Sequence, residues 1–432
     1  GSPMKLILGF GIPLLFGMLF QQFYNMMDTI IVGKFLGVSA LASVGATGSI
    51  NFMIIGFCMG VCNGFAIPVA QRFGAKDEHG MRKFVANSVW LSIIFAVVMA
   101  VLVCVFCRQI LELMNTPEDI IDGSYSYIFV IFLGIPATYM YNLLSGIMRS
   151  LGDSKTPLYL LIFSSILNIV MDLWMVAGLG LGVFGAALAT LIAQGISAVL
   201  SLLLFLNRMR QYESNFQLFD WCELHSMFRI AVPSVLQQST VSIGMMIVQA
   251  VVNPFGTQAL AGYAATMRVE NVFSLIFVSI GNAVSPYVSQ NLGANKPRRI
   301  KKGYKAALIL DMCFAAIAFI VIETMHTQIS SLFLGKDGTA LAYQVSGDYM
   351  RWLGFFFIFM GIKMATDGVL RGLGIMRPFL AANMVNLAIR LSVALICAPR
   401  FGIAFVWLAV PAGWLANFLI SYVALRKSWP AE

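Results

Sequence analysis

Charge is scarce in this chain. Of its 432 residues, 11% are Asp, Glu, Lys or Arg and 59% are hydrophobic. An ordinary soluble domain carries about 25% charged residues, so a soluble globular protein is excluded. Histidine is scarcer still. His79, His225 and His326 are the only three, all in or near polar stretches, which removes most histidine-based metal and catalytic schemes. The seven cysteines form no ligand pattern. Cys104-x-x-Cys107 is the one CxxC; it ends an apolar run with no histidine nearby and reads as buried thiols, not a zinc or redox centre. No Walker sequence, Ser-His-Asp trio or carboxylate-rich prenyltransferase-type motif is present. The chain is therefore read as a non-enzyme without a cofactor, driven by an ion gradient or a partner.

What is present is apolar sequence in long runs. A membrane-crossing helix needs about 20 mostly apolar residues. These runs are continuous, not alternating, so they are helices and not barrel strands. Twelve segments are expected, at 6–32, 44–72, 84–107, 124–149, 157–177, 184–207, 228–252, 260–289, 304–325, 341–370, 376–397 and 402–425.

The sequence is also written twice. Gly146-x-x-Arg149-x-x-Gly152 returns as Gly368-x-x-Arg371-x-x-Gly374. Gln71 to Ala75 returns as Gln290 to Ala294, 219 residues on (290 − 71), Ala40-Leu41-Ala42 as Ala259-Leu260-Ala261, and Ile12-Pro13 as Val232-Pro233. The expected fold is an all-α membrane protein, with twelve transmembrane helices in two pseudo-symmetric six-helix bundles. Six is even, so the repeats are parallel, the arrangement of a two-lobed transporter. The lobes are placed at 5–207 and 227–427, with polar 208–226 as a cytoplasmic linker.

Of the 28 Lys and Arg residues, 20 fall at one face, 4 at the other, and 4 (Arg268, Arg351, Lys363 and Arg390) within or beside helices. The positive-inside rule then puts both termini in the cytoplasm of a cell inner membrane. It also accounts for the net charge of +9 without a nucleic-acid partner. The partners expected are the lipid bilayer and a small organic cation or amphipathic molecule, with the chain acting as a monomer.

A charge in mid-membrane costs about 2.5–3.5 kcal/mol on insertion scales, so each one requires a reason. Asp28 lies in the first segment, fifteen residues (28 − 13) after Pro13, which removes a helix hydrogen bond and is expected to bend the helix. Asn168 and Asp172 share a face of segment 5 at i, i+4, and segment 6 carries Thr190 and Gln194. Two carboxylates, an amide oxygen and a hydroxyl make a shell able to hold a sodium ion. The same carboxyls can instead take a proton, because burial strips water from the charged form. No other metal is expected. Lys363 and Asp367 at i, i+4 read as a neutralised pair, as do Arg268 and Glu270. Asp311 and Glu323 read as interfacial. Gly146, Arg149, Gly152 and their repeats Gly368, Arg371, Gly374 are assigned a structural or gating turn. An adaptable substrate cavity is assigned to Gln22, Tyr24, Asn25, Met53, Tyr139, Met171, Gln194, Gln238, Met245 and Phe273.

On the Pro13 to Asp28 spacing, Gln71-x-x-Gly74-Ala75, Gly146-x-x-Arg149-x-x-Gly152-Asp153, Asn168-x-x-x-Asp172 and Thr190, the chain resembles the multidrug and toxic compound extrusion (MATE) family, in its DinF-type prokaryotic branch. The resemblance covers about residues 5–427. It implies secondary active efflux of organic cations or amphipathic drugs by alternating access, as an H⁺ or Na⁺ antiporter. It implies a cation site at Asp28, Asn168, Asp172 and Thr190, and bending of helix 1 at Pro13. Another branch places acids in segments 7 and 10, whereas segment 7 here has Gln237, Gln238 and Gln249 and no acid. The alternative within the same superfamily is a lipid-linked oligosaccharide flippase.

Overall fold

The computed structural model describes residues 2–36, 40, 43–44, 47–113, 118–210, 221–255, 257–334 and 339–431. Among them the secondary structure is helical throughout. The helices are α1 (Pro3–Leu36), α2 (Gly48–Gly74), α3 (Glu78–Val105), α4 (Cys107–Leu113), α5 (Ile121–Leu133), α6 (Ile135–Ser150), α7 (Lys155–Asp172), α8 (Val183–Met209), α9 (Trp221–Val252), α10 (Thr257–Gly293), α11 (Pro297–Leu334), α12 (Ala340–Gly372), α13 (Met376–Phe401), α14 (Phe405–Leu408) and α15 (Val410–Lys427). In hydrocarbon a helix satisfies its backbone within one segment, which is why each apolar run takes this form. Ten described spans are long and apolar enough to cross a membrane, and the bent pair α5 and α6 makes eleven. The remaining apolar segment, 228–252, is helical within α9.

Three features were not expected. A short helix, α4, follows the third span. The fourth span breaks at Gly134 and turns by 47°. The break has a local cause, since Pro136 sits in the first turn of α6 and Gly134 packs where a Cβ would lie 2.8 Å from Leu191. Thirdly, α7 ends at Asp172 and continues as a wide π-helical turn, Leu173–Gly178.

The repeat is visible in the caps. The turn after α2 closes with Asp77 N–H donating to Arg72 O at 3.0 Å, with Lys76 at φ 60°. The turn after α10 closes with Lys296 N–H to Asn291 O at 2.9 Å, with Asn295 at φ 57°. The two glycine-arginine motifs end α6 and α12 alike. Gly152 (φ 89°) donates to Arg149 O and Gly374 (φ 77°) to Arg371 O, both at 2.9 Å. Left-handed backbone there is why glycine ends both motifs.

By contacts the chain forms two compact units, 16–235 and 1–15 with 236–432. The boundaries drawn along the repeat, 5–207 and 227–427, differ from these at the first parts of α1 and α9. Each crossover falls two residues beyond a helix-interior proline, Pro13 or Pro233. Of the expected linker, 211–220 lies outside the described residues, while its ends are helical in α8 and α9. In unit 16–235 the core is built on Phe65, Phe84, Phe132, Leu143 and Leu144. In the other unit it is built on Phe277, Tyr349, Phe357, Trp407 and Trp414.

Asp153, just past the first motif, ties α7 to α8. It accepts from Thr156 Oγ1 at 2.6 Å and from Arg208 Nη1 at 2.6 Å. Burial pushes its carboxyl up, but the Thr156 hydroxyl and N–H and the Arg208 guanidinium outweigh burial and hold it below its ordinary value. A carboxyl depressed by folding stabilises the fold above its unfolded pKa, and the contribution is lost as pH falls through the folded value. Asp153→Asn is therefore expected to cost about 1–2 kcal/mol at neutral pH. In melting curves, its gap from the wild type should persist down to about pH 4 and close below it.

Candidate functional site

The site is assembled inside unit 16–235 from three helices. From α1 come Tyr24 and Asp28, one turn apart on one face. From α7 come Asn168 and Asp172, likewise one turn apart, and from α8 come Thr190 and Gln194. The Asp28 and Asp172 carboxyls lie side by side, within hydrogen-bonding reach of each other. Asn168 Nδ2 donates to Thr190 Oγ1 at 3.4 Å, and that hydroxyl donates to Ala186 O at 3.2 Å. Asp172 is 0% and Asn168 2% exposed. The four residues assigned to the cation site thus converge.

Their hydrogen bonding is incomplete. Among the described residues, Asp28 Oδ1, both Asp172 oxygens, Asn168 Oδ1 and Gln194 Oε1 are buried with no donor. Buried polar atoms are nearly always partnered. Two adjacent carboxylates out of water cannot both stay charged without a counter-ion. What is missing is positive charge presented to oxygens: a proton, or a hard cation such as Na⁺, which takes oxygen ligands. The donor set fits both. No three His, Cys, Asp or Glu side chains converge among the described residues.

One neighbour was missed. Tyr127 of α5 is 7% exposed and stands within electrostatic reach of Asp28, Tyr24 and Asp172. Its only signal in the sequence was a hydroxyl in mid-run, which cannot be told from an ordinary core tyrosine.

The cavity assignment fares unevenly. Tyr24 belongs with the carboxyls. Gln194 lies one helical turn from Thr190, hence on the same face. Gln22 and Met53 are exposed and Met171 is half-buried. The Asn25 side chain lies outside the described residues. Tyr139 is corrected: at 1% exposure its ring packs in the core, edge-on to Phe95 at 6.0 Å, with its hydroxyl 3.5 Å from Met99 Sδ. It is a packing residue because α6 turns that face inward on α2 and α3. Gln238, Met245 and Phe273 are half-buried in the other unit, where Phe273 packs on Phe357 at 5.7 Å.

That unit holds its own buried polar groups, several of them bonded to one another. Lys363 Nζ lies 3.9 Å from Asp367, whose carboxylate also accepts from Ser421 at 2.7 Å and Asn383 at 3.4 Å. Glu270 accepts from Tyr349 at 2.8 Å and has Arg390 as a neighbouring cation, while the Arg268 side chain lies outside the described residues. Asp311, expected at an interface, is instead 0% exposed against Gly361 and Phe277, with both oxygens unpartnered among the described residues.

The comparisons with known proteins agree with this architecture. The MatE family model matches twice, over residues 13–174 and 233–396. The chain is 29% identical over 434 residues to Probable multidrug resistance protein YoeA of Bacillus subtilis (strain 168), covering 97% of this chain and 93% of the relative. It is 26% identical over 387 residues to Probable multidrug resistance protein YpnP of the same organism, covering 89% and 86%. A solved outward-facing multidrug resistance MATE transporter of the MOP superfamily superposes with a TM-score of 0.90 at 24% identity, covering 99% of this chain and 96% of that one. Matched in each half and over most of its length, the chain belongs to the MatE family.

Proposed function

We propose that the chain is a secondary active exporter of amphipathic organic cations, coupled to H⁺ or Na⁺ and working by alternating access. The observation that carries this reading is the adjacent, donor-poor carboxyl pair Asp28 and Asp172, contributed by two different helices within the membrane-spanning part. A counter-ion bound between them holds α1 against α7. Its loss leaves two bare carboxylates that repel, so ion occupancy biases where α1 packs. Pro13, inside α1, weakens the helix where that movement would be taken up. Relatives named as multidrug resistance proteins support export over oligosaccharide flipping. In this reading the exporter sits in the inner membrane as a monomer, with both termini cytoplasmic.

The test is efflux of a cationic dye from vesicles, with proton and sodium gradients imposed separately. Uphill efflux is expected under at least one gradient and none with both collapsed. Equal efflux with no ion gradient would overturn the coupling.

A further inference from the structure

The two repeats part company where α3 and α11 begin. α3 opens on acid: Asp77 accepts from the Gly80 N–H at 3.0 Å, and Glu78 lies in the first turn. Negative charge belongs there, because the free N–H groups of a helix start carry partial positive charge. At the matching start of α11, 219 residues on (296 − 77), stand Lys296 and Pro297, followed by Arg298, Arg299, Lys301, Lys302 and Lys305. These cations oppose the helix dipole. The matching turn of the first repeat carries Arg72, Lys76, Arg82 and Lys83 alongside two acids, whereas this one carries six cations and no acid.

The end of α15 meets this turn. Lys301 Nζ lies 5.7 Å from the Trp429 ring centroid, and Tyr304 packs edge-on to that ring at 6.1 Å. Arg426 and Lys427, in the last turn of α15, therefore stand at the same end. Lys296, Lys302, Lys305, Arg426 and Lys427 are exposed, and Trp429 is half-buried. No acid occurs in 294–305, and the one acid in 421–432 is Glu432, which lies outside the described residues. Cations and an indole together, where two spans leave the hydrocarbon, match a headgroup layer: the indole sits at the interface and the cations meet phosphate.

We propose that this turn of unit 236–432 is a docking surface for anionic phospholipid of the adjoining leaflet. Lys296, Lys302, Lys305, Arg426 and Lys427 hold its phosphates, and Trp429 lies beside its glycerol region. The matching turn of unit 16–235, with Asp77 and Glu78, has no such surface.

The test uses the full chain in phosphatidylcholine vesicles carrying brominated phosphatidylglycerol or brominated phosphatidylcholine. Quenching of Trp429 is read as the difference between wild type and Trp429→Phe. Quenching by the anionic lipid is expected to exceed that by the neutral one. The preference should fall about fivefold for each cation removed in Lys296→Gln, Lys302→Gln and Lys305→Gln. High salt on the wild type should shrink it likewise, a reading independent of how the variants fold. Equal quenching by the two lipids, or a preference indifferent to salt, would overturn the proposal. Loss of the preference on adding soluble glycerol phosphate at modest concentration would assign the surface to free phosphate and overturn the lipid.

Discussion

Asp172→Asn is expected to abolish ion-coupled efflux while leaving the protein folded, with a melting temperature equal to or above that of the wild type. The two halves of this expectation come from one observation. Asp172 is 0% exposed and neither oxygen has a donor among the described residues, so the amide forfeits no hydrogen bond. Its new N–H groups can donate to Asp28, which relieves a like-charge contact. A carboxylate kept for structure behaves oppositely: removing one partner of a buried charged pair costs about 3–5 kcal/mol. Efflux should fall by as much as about 150-fold, because coupling energies of 1–3 kcal/mol correspond to 5–150-fold and this change deletes a group that carries them. Gradient-driven dye efflux and a thermal melt on the same preparation check both halves. Unchanged efflux would remove Asp172 from the mechanism, and a large drop in melting temperature would make it structural.

The ion must do substantial work. Reversing a two-state population from 1:99 to 99:1 takes about 5.5 kcal/mol. One charge crossing 100 mV supplies about 2.3 kcal/mol. The remainder has to come from the concentration gradient or from a smaller population shift.

The second large effect separates two positions that look equivalent in the sequence. Gly368→Ala is expected to destabilise by about 1–3 kcal/mol or more, whereas Gly146→Ala should be near neutral. A Cβ at Gly368 would lie 2.6 Å from the backbone oxygen of Gly281, and backbone cannot swing aside. A Cβ at Gly146 meets Cys62 O at 3.6 Å and Ala66 Cβ at 3.9 Å, ordinary contact. α10 and α12 are drawn together by Ser285 Oγ donating to Gly368 O and Ser289 Oγ to Gly372 O, both at 2.7 Å. In the first repeat, α6 instead donates from Ser150 Oγ to Ala66 O at 2.8 Å. Melting of the two purified variants by size-exclusion fluorescence checks the contrast; equal losses would contradict it.

This contrast marks how far the sequence could be read. The spans were legible because hydropathy in a bilayer is a local quantity, and the two glycine-arginine turns because left-handed backbone selects glycine at Gly152 and Gly374. The shared face of Asn168 and Asp172 was legible from i, i+4 spacing, and the cost of burying charge singled out Asp28 and Asp172; their grouping with Thr190 as one cation site was what the family resemblance implied. The rest depended on tertiary neighbours. Nothing near Tyr127 or Asp311 in the chain says what faces them across a helix contact, and Tyr139 reads equally as cavity wall or core. Glu270 turned out to bond Tyr349, a residue 79 positions away, where sequence proximity had suggested Arg268. α11 runs from Pro297 to Leu334 and not only across 304–325, because its basic turn stays helical beyond the apolar run.

The most direct measurement is ion release on substrate binding: protons or sodium appearing in weakly buffered detergent solution when a cationic dye is added to the purified protein. About one ion per bound dye is predicted for the wild type, and none for Asp28→Asn or Asp172→Asn when dye binding is retained. Undiminished release from either variant would contradict the account.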